Sequence, residues 1–537
     1  MQNFFCFLLH FFELHLAAPE VKLNKAAESV LIYLSRQFSR SCLPRLWRIR
    51  QNFTRKESIM KKNQLKNFML ITALILVTGG AMAYSSNKPA GFFTNWISVS
   101  PHPSTGNEEI VKASGHLVQN KVLLGSDGMV GLNLRLQAAE LAADKRSQDR
   151  NVDMVIVLDR SGSMQGRKLN DARRAVLKLL SNLSAQDRFA IVTYSDGVQI
   201  ASRLINVTAE NRHHLSTAVN RVRAGGGTNL GAGLQAGINI LRKSSDRSDN
   251  AARVILISDG LANKGIIDPK SLTGIASAAV EGEFVVSTVG VGIDFNEHLM
   301  TAIADRGTGN YYFLENPAAF AEVFQKEFYD TQSASITGLK IQIPANTGIT
   351  LSDAAGYPIN INNGQAVFYP GNLHSGQSRN LYLTFQIPTS RPRTFELDQI
   401  QIHYQHNGRS YVTTLDESLT IACVTDQEKV YSSIDKTSWA DKIINEDFNR
   451  LKQEVASDIK SGKKQDALKR IEKYHIEQEA LNTVVGSASV AQNLDNDLKE
   501  LKIRVKDTFK GAPAAVRQKQ KSTAKSLQYE GYRGRRK

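Results

Sequence analysis

Val152-Asp153-Met154-Val155-Ile156-Val157-Leu158-Asp159-Arg160-Ser161-Gly162-Ser163 carries a mostly apolar run directly into a cluster of oxygen-bearing side chains. A short segment this rich in Val and Ile suits a strand buried on both faces, the usual condition of a parallel sheet. Further runs of the same kind fall at 189–194, 254–258, 284–291 and 311–314, and 198–207 reads as an edge strand. Between them the apolar period changes to that of helices. The segment 169–183 aligns Ala172, Val176, Leu179, Leu180 and Leu183, and 230–241 aligns Leu234, Ile238 and Leu241. Strands alternating with amphipathic helices predict an α/β domain over 151–330, a doubly wound, mostly parallel sheet.

In such a fold ligands collect at the carboxyl ends of the strands, where the strand order reverses. Polar residues concentrate there. The first strand ends in Asp159-Arg160-Ser161-Gly162-Ser163, a later one in Ser258-Asp259-Gly260, and Gly225-Gly226-Gly227-Thr228-Asn229 opens a helix between them. Asp159, Ser161, Ser163, Thr228 and Asp259 offer carboxylate and hydroxyl oxygens with no imidazole or thiol. That donor set selects a hard cation, magnesium first and calcium or manganese next, over zinc. Two hydroxyls and one or two carboxylates leave room in an octahedral shell for waters and for a carboxylate from a partner protein.

One such string alone would read as a turn whose Asp caps a helix; three loops at predicted strand ends read as a site. Asp196 and Asp305 are close by spacing but read as solvated residues of a turn and a helix. His213 and His214 fall between the edge strand and the next helix and read as surface residues, and the glycine run lacks the lysine of a phosphate-binding loop. No general acid or base accompanies the oxygens, so the site reads as binding rather than catalytic.

The pattern Asp159-x-Ser161-x-Ser163 with Thr228 and Asp259 resembles the metal-ion-dependent adhesion site of von Willebrand factor type A domains, in the family's order. The resemblance covers about 152–325 and includes Gly226-Gly227-Thr228-Asn229-Leu230 and Leu256-Ile257-Ser258-Asp259-Gly260. It implies a Rossmann-like domain in which Ser161 and Ser163 coordinate the metal directly, Thr228 does so in one conformation, and Asp259 acts directly or through water. Secreted bacterial members and the similar inter-alpha-trypsin inhibitor heavy chains favour an arrangement in which the metal domain is inserted between strands of a sandwich, and the expected function is protein binding in adhesion or scaffolding. The alternative is an accessory subunit of an enzyme or an envelope assembly machine, since type A domains also stand beside chelatases. A chloride-channel role has no pore-forming segment behind it.

The chain has 537 residues, room for about three domains of roughly 150 residues. Hydrophobic residues at 42% and charged residues at 22% exclude a disordered or multi-span membrane class. The net charge of +16 resembles a nucleic-acid signature until it is located. Residues 1–59 hold nine basic against four acidic side chains, Lys61, Lys62 and Lys66 follow, and 510–537 hold nine against one, which accounts for all of it. The middle of the chain is close to neutral, so no nucleic-acid partner is expected.

From Met60, two lysines, an apolar run over 68–77 and Ala81-Met82-Ala83 make a signal peptide over 60–83, with cleavage expected after Ala83. The expected location is therefore the periplasm, the exterior or the cell surface. Residues 1–59 read as an upstream start-site artefact, and no later run is long enough to span a membrane. Cys6 and Cys42 precede the leader, which leaves Cys423, expected in a buried strand.

Around the α/β domain the pattern changes. Residues 335–425 alternate with period two and contain the turn signals Asn363-Gly364 and Asn407-Gly408, which predicts an antiparallel β-sandwich. Strands within 84–150 are expected to pair with it, making the α/β domain an insertion. Residues 437–509 carry helical stripes, among them Phe448, Leu451, Val455 and Ile459, and predict a helical hairpin or bundle. The basic tail 510–537 is expected to be disordered and able to dock on an anionic surface.

Overall fold

A computed structural model describes residues 110–536 except 141–149, 245–249, 283, 345–347, 398 and 416. The segments read as a start-site artefact and a signal peptide, with its cleavage position, lie outside the described residues. So do Cys6 and Cys42 and the first part of 84–150. No helix among the described residues is long and apolar enough to cross a membrane.

Strands β1 (Val111–Leu117), β2 (Lys121–Leu123) and β3 (Met129–Ala138) come first. The chain then alternates through β4 (Val152–Asp159), α1 (Arg167–Asn182), β5 (Arg188–Tyr194), β6 (Val198–Asn206), α2 (Ala209–Asn220) and α3 (Leu230–Arg242). It continues through β7 (Ala251–Ser258), α4 (Pro269–Glu281), β8 (Val285–Val291), α5 (Glu297–Arg306), β9 (Thr308–Leu314) and α6 (Phe320–Gln332). The sheet order is β6-β5-β4-β7-β8-β9, with β6 alone antiparallel to its neighbour. The order reverses between β4 and β7, which makes that gap the switch point.

Every residue of β4 is buried, and its side chains divide by parity. Met154, Ile156 and Leu158 join one core with Val176, Leu179, Leu180 and Phe324, while Val155 and Val157 join the other with Leu234, Ile238 and Met300. That division is why an almost continuous apolar strand is required: helices cover both faces and leave no solvated side. Helix α3 approaches unusually closely. A Cβ at Gly237 would lie 2.4 Å from a Val157 methyl, so only glycine lets the helix axis sit there.

The second module holds β10 (Ala334–Ile343), β11 (Thr350–Ala354), β12 (Asn360–Asn362), β13 (Gln365–Phe368), β14 (Leu373–His374) and β15 (Ser378–Gln386). It is completed by β16 (Arg393–Leu397), β17 (Gln401–His406), β18 (Arg409–Thr414) and β19 (Leu419–Val424). One sheet runs β1-β3-β15-β11 and another β12-β13-β10-β17-β18, with β14 also on β10. Strand β3 pairs antiparallel with β15, setting Leu132 opposite Leu383 and Leu134 opposite Leu381, and β2 runs parallel to β19. Strands from both sides of the α/β domain thus share one core, which includes Leu132, Leu134, Ile341, Phe368, Phe385 and Ile402. The two Asn-Gly turns join β12 to β13 and β17 to β18, with φ of 50° and 78°, then 49° and 70°. Positive φ at both central residues matches the strand twist. Cys423 is buried in β19, and burial raises its thiol above the ordinary value.

The C-terminal region is helical: α7 (Lys436–Lys442), α8 (Phe448–Lys460), α9 (Lys464–Val485) and α10 (Leu498–Thr508). Phe448, Leu451, Val455, Ile459, Ile471, Val490, Leu494, Leu498, Leu501 and Val505 form its core.

The tail overturns its expectation. Pro513–Gly534 forms a helix, α11, with Pro513 in its first turn. The stripe it buries is short in apolar residues, Ala524, Leu527 and Tyr532, and low hydrophobicity gave the appearance of disorder. Charge pairing supplies the rest. Lys525 is buried between Glu297, at 2.6 Å, and the Phe295 carbonyl, with its ammonium 4.1 Å from the Phe295 ring centroid. Arg535 reaches Asp353 at 2.7 Å and pairs with Glu446, and Arg536 pairs with Asp305 between the rings of Tyr357 and Tyr532. Asp305 is therefore a buried ion-pair member, not a solvated helix residue. Lys521 bonds Asp294 as well, so four basic groups of the tail have partners within the fold.

Glu297 fixes how this helix responds to acid. Burial alone would raise its carboxyl, but the ammonium groups of Lys460 and Lys525 hold it at about 2 against an ordinary 4.5. A depressed folded value contributes stability that is complete above 4.5 and is lost as pH falls toward 2. Lys525→Met should cost stability at the lower end of about 3–5 kcal/mol, because Lys460 stays in place. The deficit should shrink between pH 4.5 and 2; urea denaturation at pH 7 and pH 3 measures both.

Candidate functional site

The reversal of strand order leaves a crevice at the carboxyl ends of β4 and β7, and the backbone there is tied before any ligand is considered. Arg160 N donates to Tyr194 O at 2.9 Å, Gly162 N to Gly226 O at 3.0 Å, and Gly225 N to Arg160 O at 2.8 Å. Asn263 N donates to Thr228 O at 3.1 Å. Loops after β4, before α3 and after β7 are thereby joined edge to edge.

Their side chains converge. Asp159 is fully buried; its Oδ1 accepts from Ser161 N at 2.8 Å and its Oδ2 from the Ser258 hydroxyl at 2.9 Å. The Ser161 and Ser163 hydroxyl oxygens lie 3.1 Å apart, and Ser163 donates to Asp259 Oδ1 at 2.7 Å. Asp259 is also fully buried, and its Oδ2 takes the Lys168 ammonium at 2.5 Å. Thr228 is buried, with its N–H given to Asn263 Oδ1 at 2.9 Å. Gly260 reports on the gap between these groups: a Cβ there would stand 3.6 Å from Ser163 Oγ and 3.7 Å from Thr228 Oγ1. Ser163 and Thr228 thus flank the gap at Gly260, and Asp159, Ser161 and Asp259 are linked to Ser163 through these contacts.

That gap is electrostatically suited to a cation. Two buried carboxylates face it against one ammonium, which leaves one negative charge. Burial, with Asp259 adding repulsion, raises the Asp159 carboxyl to about 6, while bonds from Ser161 and Ser258 resist the shift. Apart from the Lys168 ammonium the named groups are oxygens, and Gly260 adds no side chain between them.

Three supporting residues were not singled out in the sequence, and a fourth, Asp196, was read there only as a solvated residue. Ser258 orients Asp159, Lys168 holds Asp259, Asn263 fixes the Thr228 loop, and Asp196 accepts from Gly227 N at 3.1 Å. Ser258 adjoins Asp259, and Lys168 lies in the first turn of α1, but only the folded backbone assigns their partners. Asp196 is exposed, as expected, yet it braces the glycine run. His213 and His214 are exposed on α2.

Residues 153–326 match the family model of the von Willebrand factor type A domain, so the chain carries such a domain. Domains of this type typically serve protein interaction or adhesion and commonly bind a divalent metal. The chain is 24% identical over 340 residues to an uncharacterized protein of Synechocystis sp., covering 62% of this chain and 79% of that one. It is 32% identical over 209 residues to the uncharacterized protein YfbK of Escherichia coli, covering 38% of this chain and 36% of the other. It is 26% identical over 199 residues to inter-alpha-trypsin inhibitor heavy chain H4 of Homo sapiens, covering 36% and 21%. The match thus spans about a third and a fifth of those last two proteins. A solved von Willebrand factor type A protein from Catenulispora acidiphila shares the fold, with a TM-score of 0.57 at 18% identity over 79% of this chain and 97% of that one.

The raised Asp159 carboxyl makes a test that requires no partner. Its folded value lies above the ordinary 3.8, so the folded chain holds the extra proton, and stability falls as pH rises from 3.8 through about 6. The loss should be at most about 3 kcal/mol in divalent-free buffer. Asp159→Asn should remove most of that slope, as read by urea denaturation at pH 4.5 and pH 7.

Proposed function

We propose that the protein acts outside the cytoplasm as a metal-dependent binding module, an adhesion or scaffold protein whose type A domain captures a carboxylate of a partner. The observation that carries this reading is the chain of contacts that joins Asp159, Ser161, Ser163 and Asp259, two of them buried carboxylates, with Thr228 across the gap at Gly260. Ser161, Ser163 and Thr228 would supply hydroxyl ligands, with Asp159 and Asp259 acting directly or through water in a metal-ion-dependent adhesion site. Magnesium fits the oxygen-only set best, with calcium or manganese next. The ion, when bound, supplies a positive centre to which an Asp or Glu of another protein can bond.

The chain's own groups prepare the centre. Ser258 aims one oxygen of Asp159, and Lys168 draws Asp259 to the α1 side; Asn263 keeps Thr228 at the rim. The signal-peptide pattern ending at Ala83 supports an extracytoplasmic location. Surface exposure of His213 and His214 on α2 supports binding over catalysis.

Gly260→Ala tests the centre directly. The added methyl meets only ordinary van der Waals contacts, so the domain should keep its stability to within about 1 kcal/mol. It would touch two of the oxygens an ion requires, and magnesium affinity should drop at least about tenfold, or roughly 1.4 kcal/mol. Calorimetric titration of the full chain reads this. No magnesium, calcium or manganese uptake by the unmodified protein would reject the reading, and so would partner capture from envelope extracts that persists in EDTA and in Ser163→Ala.

A further inference from the structure

A cavity of about 560 Å³ opens where β9, α6, the segment 369–372 between β13 and β14, and the end of α11 meet. None of the five oxygen donors at the ends of β4 and β7 and before α3 lines it. Its size falls within the roughly 300–1,000 Å³ of small-ligand sites, which favour the junctions of domains. Six tyrosines line it: Tyr311, Tyr312, Tyr357, Tyr369, Tyr529 and Tyr532. Thr308, where the chain enters β9, lines it too and is held at φ 57°, a left-handed conformation that a β-branched residue adopts only when its surroundings force it.

Five cations stand in the wall, and three of them have acids. Arg253 pairs with Glu327, Lys326 lies 2.5 Å from Asp330, and Arg536 pairs with Asp305. His374 Nε2 stands 3.7 Å from the same Asp330, and Glu322 is exposed. Arg379 and Arg533 have no carboxylate within ion-pair distance among the described residues. Five cations against these four acids leave the cavity positive, and Arg306, close enough to act on Tyr369, adds to that sign.

The two unpaired guanidinium groups differ in setting. Arg533 is exposed at the end of α11, 5.6 Å from the Tyr529 ring centroid. Arg379 is seated: it donates to the carbonyls of Pro370 and of Asn372, the latter at 2.8 Å, and those bonds fix its plane. Three of its five N–H donors remain. Burial, and then repulsion from Arg536, lower this guanidinium from its ordinary value, and Asp330 acts on it only from a distance. In the same wall the Asn372 amide and the Tyr369 hydroxyl have no hydrogen-bond partner among the described residues.

A seated guanidinium with free donors suits a carboxylate, which it meets with two parallel hydrogen bonds. A phosphate group would call for a second seated cation, and Arg533 lies on the exposed side. The Asn372 amide offers both donors and an acceptor, the complement of a peptide group. Tyrosine and arginine are also the side chains enriched where proteins are recognised. We propose that this cavity binds the carboxyl terminus of a peptide or protein, with the terminal carboxylate on Arg379, the last peptide group on Asn372 and the last side chains against the tyrosines. The site requires no ion and is independent of the metal-bridge reading above.

The experiment passes pools of acetylated tetrapeptides, randomised at every position, over the immobilised full chain. One pool has free carboxyl termini and the other is amidated, and EDTA is present so that no ion elsewhere can hold a carboxylate. The free-acid pool should be retained, and calorimetry with a retained peptide should show at least about a tenfold loss of affinity on amidation or in Arg379→Met. Arg379 also holds two carbonyls of its own loop, so Asn372→Ala, which removes no contact of the fold, gives an independent reading; it should lower affinity at least about threefold. Retention of neither pool, equal retention of both, undiminished affinity in Asn372→Ala, or acetate or inorganic phosphate binding as tightly as the peptide would each overturn the assignment. None of these results bears on the metal site, which the EDTA keeps free of ions.

Discussion

Two carboxylates, Asp159 and Asp259, are buried at adjacent strand ends, and the surrounding loops are arranged to make that tolerable. A buried charge survives only if it is paired or hydrogen-bonded. Asp159 has the Ser161 amide and the Ser258 hydroxyl, and Asp259 has the Ser163 hydroxyl and the Lys168 ammonium. The parallel sheet sets this arrangement, because β4 and β7 are neighbours whose following loops depart in opposite directions. The gap between those loops is where an ion and an outside acid can meet.

The same principle governs the C-terminal end of the chain. Helix α11 carries too few apolar residues to dock by hydrophobic burial alone. It is held by Lys525 on Glu297 from the α/β domain, by Arg535 on Asp353 from the sandwich, and by Arg535 on Glu446 from the helical region. Breaking one member of such a set leaves a charge stranded, so the helix links all three modules through interactions that are costly to lose singly. A basic tail is a poor indicator of disorder when its partners are acids supplied by distant segments.

The sandwich shows another long-range dependence. Strand β3 lies between β1 and β15 in its sheet, so the α/β domain is inserted between strands that pair with each other. Leu132, Leu134 and Leu136 have no exposure, and β15 covers one edge of their strand. Changes to either flank of the inserted domain are thus felt in a core that the inserted domain does not itself form.

What the sequence determined by itself was local and periodic. The apolar run into Asp159, the helical stripe from Ala172 to Leu183, the two Asn-Gly turns and the five oxygen donors follow from side-chain chemistry and the 2.0 and 3.6 residue periods. The tertiary structure alone decided which distant groups neutralise one another. Nothing near Lys168 in the chain indicates Asp259, 91 positions away, and nothing near Asp305 indicates Arg536, 231 positions away. Ion pairs have no sequence period, since Coulomb attraction depends on separation in space and on exclusion of water, and both exist only after the chain has folded.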